Sequence, residues 1–171
     1  MLNIKKIAGV DEVGRGCLAG PVFAAAVILN NNISTKGIKD SKKISFKNRM
    51  LLSKYIKKNS TFAIAFASVE EIYKLNILNA SLLSMKRALN KLKQKPSMIY
   101  IDGIFAPKNL KIKYKTFIKG DEKIISIAAA SIVAKATRDQ FMIKLGRNFP
   151  KYRWNKNFGY GTREHLRSLK K

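Results

Sequence analysis

Apolar positions along this chain fall into short runs and longer amphipathic stretches, and their spacing separates strands from helices. "IKKIAGV" (4–10) predicts a short strand ending at Asp11. "PVFAAAVIL" (21–29) is continuously apolar after Gly-Pro, the pattern of a strand buried on both faces. "NNNISTKGIKDSKKIS" (30–45) is polar and predicts a loop, with Ser45 placed to cap a helix over 46–58. In that helix Phe46, Met50, Leu51 and Ile56 share roughly one face. "TFAIAFASV" (61–69) predicts a third strand. A long helix is expected over about 76–93, where Ile77, Leu78, Leu82, Met85, Leu89 and Leu92 recur at helical spacing and Pro96 is the stop. "SMIYIDG" (97–103) predicts a fourth strand, and "KIKYKTFIKGDEK" (111–123) contains an alternating fifth that runs into Gly120-Asp121. "SIAAASIVAKATRDQFMIKLG" (126–146) is the strongest helix, closed by Gly146, and "RWNKNFGYGT" (153–162) leads into a short basic helix.

The strands come first as a meander and then alternate with helices. That order predicts an α/β or mixed-sheet domain rather than a pure βαβ repeat. No internal repeat and no linker interrupts it, so residues 1–171 are expected to form one domain with a short C-terminal helical segment.

Charge changes the picture next. The chain carries 35 Lys and Arg against 10 Asp and Glu, a net charge of +25, with 46% hydrophobic residues to build a core. A surface this positive attracts polyanions, nucleic acid first and an anionic membrane second. A Lys-, Ile- and Asn-rich composition can raise Lys without a functional reason, but it does not make acids scarce. One cysteine, Cys17, excludes an intramolecular disulfide and fits a reducing compartment. No signal peptide and no span of the roughly 18–20 apolar residues needed to cross a bilayer is legible, so a soluble, cytoplasmic protein is expected.

The remaining acids are therefore informative. Asp11 and Glu12 follow "IAGV", Asp102 follows "MIYI" and Asp121 follows "TFIKG". Each lies at or just past a predicted strand end, where catalytic groups of α/β sheets gather. If those strands are neighbours, the carboxylates converge and repel one another unless cations sit between them. Hard divalent ions, Mg²⁺ or Mn²⁺, suit such oxygen ligands, and a pair of them about 4 Å apart is a device for cutting phosphodiesters. An acid at a strand end is also an ordinary turn or cap residue, so each one alone carries little. Adjacent strand residues point to opposite faces, so Asp11 and Glu12 can serve one site only if the strand ends or twists there. One Cys and one His (His165) give no zinc ligand set, and no phosphate-cradling glycine motif is present. "GRG" (14–16) beside the acids reads as a clamp for a phosphate backbone.

In this order "GVDEVGRG", "AGPVFAAAVIL", "DSKKIS", "LNILNASLLSMKRAL", "YIDG", "KGDEKIISIAAASIVAKATRD" and "GYGT" resemble bacterial ribonuclease HII over about residues 7–167. The resemblance implies a ribonuclease H-like fold, a mixed five-stranded sheet flanked by helices. It implies endonucleolytic cleavage of RNA in RNA–DNA hybrids, including single ribonucleotides embedded in duplex DNA, by two Mg²⁺ or Mn²⁺ ions, leaving 3′-hydroxyl and 5′-phosphate ends. The family's metal-binding acids map to Asp11, Glu12, Asp102 and Asp121. Gly14, Arg15 and Gly16 match residues that hold the ribose 2′-hydroxyl, and Tyr160 the ring that stacks on the following deoxyribose. Ser41, Lys42 and Lys43 resemble a phosphate-contacting loop, with a solvated basic loop as the equal alternative. Asp139 and His165 are read as structural, and Cys17 as a small buried residue without a reactive thiol. The implied partner is RNA–DNA hybrid or ribonucleotide-containing duplex DNA, bound by a monomer. Relatives usually continue past the final helix with a segment rich in His, Arg and Phe, whereas this sequence stops at Lys171, which bears on affinity more than on chemistry. Ribonuclease HIII carries an extra N-terminal domain, and the six residues before "IAGV" disfavour it. The rival reading is a non-catalytic nucleic-acid-binding module. It explains the charge equally well but not the four acids, which weaken polyanion binding.

Overall fold

The structure is a computed structural model and describes residues 6–38 and 44–170. Its strands are β1 (Ile7–Val13), β2 (Val22–Leu29), β3 (Ser60–Ala67), β4 (Met98–Asp102) and β5 (Tyr114–Phe117). They form one sheet in the order β3-β2-β1-β4-β5. β2 pairs antiparallel with both β1 and β3, while β4 pairs parallel with both β1 and β5. This is the mixed five-stranded sheet that the resemblance implies.

The helices are α1 (Phe46–Lys58), α2 (Val69–Asn90), α3 (Gly120–Lys123), α4 (Ile125–Asn148), α5 (Trp154–Asn157) and α6 (Arg163–Leu169). β2 is buried on both faces, as its unbroken apolar run predicts. Ala24, Ala26 and Ile28 pack with Ala8 and Val10 against Met85, Ala88 and Leu92 at the α2 side. Ala25 and Val27 pack on the opposite face against Ala129, Ile132 and Val133 of α4, which Ile56 of α1 also covers. Small side chains let helix and sheet approach closely. At Gly9 a Cβ would lie 2.0 Å from the carbonyl carbon of Ser126, so no other residue permits β1 and α4 to meet there.

The structure differs from the expectations at four places. β1 continues through Asp11 and Glu12 to Val13, because both residues still pair with β2, opposite Ala25 and Ala24. α2 begins at Val69, well before the apolar periodicity, because Ser68 and Glu71 form a reciprocal capping box. The helix then breaks its backbone geometry at Asn76, with φ 66°, before the periodic part begins. Ser45 caps α1 as expected, its Oγ accepting the Asn48 amide at 3.3 Å, but Phe46 and Leu51 of the anticipated face are exposed and Ile56 is the one of that set fully buried. Gly146 does not close α4, which runs to Asn148. Among the described residues no helix is long and apolar enough to cross a membrane.

Candidate metal centre and nucleic-acid cleft

The parallel pair β1–β4 sets the site. Its last paired rung is Val10 with Ile101, so the next residues, Asp11 and Asp102, emerge side by side. Glu12 comes one position later. Strand alternation turns Asp11 toward α4, where the Ser131 hydroxyl faces it, and Glu12 toward α2. Yet both carboxylates feel Asp102. Asp11 Oδ1 accepts the Glu12 amide at 2.8 Å, so this carboxylate bends along its own strand toward the strand end. Both carboxylates therefore lie within electrostatic reach of Asp102, although the strand does not end before them.

β5 and α3 supply the next acid. The Gly120 amide donates to Asp102 Oδ1 at 2.7 Å, which ties the turn after β5 to the end of β4. Asp121 follows directly and is buried. Glu12 and Asp102 line a cleft of about 280 Å³ with Arg15, Phe105, Ile118 and Lys119.

Burial pushes the Asp11 carboxyl well above the usual range, and repulsion from Glu12 and Asp102 adds to the shift. Burial also raises Glu12; Arg15, whose guanidinium lies 3.7 Å away, opposes this, and Asp102 reinforces it. Buried carboxylates that raise one another fit a divalent cation, which would neutralise them, and their oxygens are the donors that hard ions prefer. Among the described residues no group of three or more His, Cys, Asp or Glu side chains is already disposed to hold a metal ion.

The loop after β1 carries the glycine-arginine-glycine triplet. Gly14 has φ 103°, a left-handed conformation that favours glycine, and a Cβ there would strike Arg138 Nε at 2.4 Å. Arg15 and Gly16 are exposed. The Leu18 amide donates to the Gly159 carbonyl at 2.9 Å, docking the "GYGT" segment on the same loop. Tyr160 is thereby brought to this face, its hydroxyl against the Cys17 thiol. Burial lifts the Tyr160 phenol to about 12 and raises the Cys17 thiol; Cys17 is half-buried rather than the buried residue expected. Ser41, Lys42 and Lys43 lie outside the described residues.

Two residues read as structural behave so. His165 is fully buried; its Nε2 accepts from Trp154 Nε1 at 3.0 Å, which leaves Nδ1–H to donate to the Tyr160 carbonyl at 2.9 Å. Asp139 is fully buried against Lys135 Nζ at 2.6 Å. Sequence reasoning missed Arg138. Its buried guanidinium donates to the carbonyls of Pro21 at 3.0 Å and of Ala19 and Phe158 at 2.9 Å, joining three segments around the site. Its signal was only an arginine beside an acid midway along the helix.

Comparisons with known proteins bear on the family and the fold. The family model described as Ribonuclease HII matches residues 8–171. Ribonuclease HII of Pelagibacter ubique is 59% identical over 169 residues, covering 98% of this chain and 90% of its own. Among solved structures, ribonuclease H2 of Pyrococcus horikoshii superposes with a TM-score of 0.82 at 26% identity, over 96% of this chain and 84% of its own. A ribonuclease HIII, Bst-RNase HIII, solved in complex with Mn²⁺, has the same fold with a TM-score of 0.73 at 23% identity, over 86% of this chain and 56% of its own. The chain belongs to the ribonuclease HII family, metal-dependent endonucleases of ribonuclease H fold that cleave the RNA of RNA–DNA hybrids.

Proposed function

We propose that this protein nicks the backbone at a ribonucleotide, in RNA–DNA hybrid or embedded singly in duplex DNA, using two Mn²⁺ or Mg²⁺ ions held by Asp11, Glu12, Asp102 and Asp121. The observation that carries the reading is the β1–β4 register, which delivers Asp11 and Asp102 as neighbours with Glu12 in electrostatic reach. Bound there, the ions would supply an activated water and stabilise the leaving oxygen, giving 3′-hydroxyl and 5′-phosphate ends. Asp11 and Asp102 hold the shared position and Glu12 and Asp121 complete the set. Arg15 sits beside Glu12 at the mouth of the cleft and meets phosphate. The backbone of Gly14 and Gly16 approaches the 2′-hydroxyl, the one group that marks RNA at a site. Tyr160 presents its ring to the deoxyribose that follows.

The test is a duplex with one embedded ribonucleotide, incubated with Mn²⁺ and then with chelator. The wild type nicks once, and chelator stops it. Asp11→Asn and Asp102→Asn lose cleavage by orders of magnitude while duplex binding persists. Normal cleavage by Asp11→Asn would sink the ligand assignment. Binding without any metal-dependent nicking by the wild type would support the non-catalytic module instead.

A further inference from the structure

Glu12 borders two clefts. The second, of about 260 Å³, runs between α1 and α4 and is lined by Glu12, Val13, Arg49, Ser131, Lys135 and Tyr160. Two cations from different helices therefore face one small cavity that opens directly onto the carboxylate centre.

Both cations are arranged for an anion. Arg49 projects from the first turns of α1, and its Nε is buried without a hydrogen-bond partner among the described residues. A buried guanidinium donor left unsatisfied costs free energy that an incoming oxygen would recover. Lys135 is held from behind: Nζ lies 2.6 Å from Asp139 Oδ1, and it sits 4.8 Å from the Tyr160 ring centre and 5.1 Å from that of Phe158. Its side chain is 21% exposed, so the ammonium is ordered yet reachable from the cleft. A planar donor fork opposite a fixed point charge is suited to the paired oxygens of a phosphodiester. Phe46, at the start of α1, stacks on Phe158 with ring centres 6.0 Å apart, which couples the Arg49 helix to the segment bearing Tyr160.

We infer that Arg49 and Lys135 grip a non-scissile phosphodiester of the bound strand, on the DNA side of the ribonucleotide junction. This inference rests on the proposed function for its polarity: Tyr160, taken there as the ring against the deoxyribose, roofs the same cleft. The grip fixes the register of the strand over the carboxylates, so the 2′-hydroxyl check and the cut occur at one defined phosphate. Arg49 and Lys135 are positioning residues for the strand and take no part in the chemistry.

The experiment is metal-free equilibrium binding of a panel of junction duplexes, each carrying one uncharged methylphosphonate. The wild type should lose about five- to tenfold in affinity at one position on the DNA side. Arg49→Met and Lys135→Met should already bind weaker by that factor and show no further loss at that position, while other positions keep their effects. The dependence of log affinity on log salt should fall by about one for each variant. Arg49→Lys, which keeps the charge, should retain the salt slope and lose only part of the position-specific effect, so a folding defect in the methionine variants is recognised. Identical methylphosphonate profiles for wild type and variants would overturn the assignment. Low-millimolar inorganic phosphate that erases the position-specific loss would also overturn it, by making this a site for the free ion. A wild type that shows the coupling but does not nick would remove the proposed function and leave the phosphate grip standing.

Discussion

At the scale of single residues, the buried acids carry opposite consequences for stability and for metal uptake. Burial, then repulsion from Glu12 and Asp102, holds the Asp11 carboxyl above its usual range. Between the unfolded and folded pKa values the native protein binds more protons than the unfolded chain, so stability falls as pH rises through that window. In metal-free protein at neutral pH, Asp11→Asn should therefore raise stability, by on the order of 1 kcal/mol. That corresponds to roughly 2–4 °C in Tm for a chain of this size. The gain should vanish below the ordinary carboxylate range, where the wild-type group is protonated in both states. Thermal melts across pH check this, and a lower Tm for the variant at neutral pH would contradict it. The same sign predicts that divalent-ion uptake releases protons and tightens as pH rises. Calorimetry in buffers of different ionisation enthalpy reads the release directly.

At the scale of elements, the site is a junction of loops fixed by one helix. α4 passes Gly9, faces Asp11 with Ser131 and further along buries Arg138, whose three carbonyl partners lie on two separate segments. Replacing Arg138 with Met should orphan those carbonyls and lower stability by on the order of 3 kcal/mol. For a chain of this length that is about 10 °C in Tm. A shift of under about 2 °C would mean water replaces the guanidinium without loss. The sequence pattern made β2, β4, α1 and α4 readable, because burial on both faces and helical spacing leave marks in the order of apolar residues. It also made the acids readable, since each follows an apolar run, although only Asp102 ends its strand: Asp11 and Glu12 lie inside β1 and Asp121 lies in α3. Arg138 left no such mark: its partners are backbone carbonyls, one of them 119 residues away, and every residue type carries a carbonyl. The early start of α2 was written in Ser68 and Glu71, but a capping box precedes the apolar period and so escapes a search for periodicity. The extension of β1 past Asp11 escaped because Asp11 and Glu12 pair with the alanines Ala25 and Ala24 of β2, which carry no polarity signal.

At the scale of the whole molecule, a net charge of +25 surrounds a centre built from carboxylates. The two act at different ranges. The positive surface draws a polyanion over distances of about a Debye length, near 10 Å at 0.1 M salt, while the carboxylates act only on what is already docked. Composition could not separate a binding surface from a Lys-rich bias, because either gives the same net charge. Salt separates them. Self-repulsion destabilises a chain this positive, so added salt should raise its Tm by screening. If the charge also binds duplex, log affinity must fall linearly with log salt, by about 0.9 for each phosphate neutralised. A KCl titration of one sample, read both by melting and by duplex anisotropy, should therefore show the two quantities moving in opposite directions. A rising Tm with salt-insensitive binding would assign the lysines to composition alone, and would leave strand capture to the cleft cations Arg15, Arg49, Lys119 and Lys135.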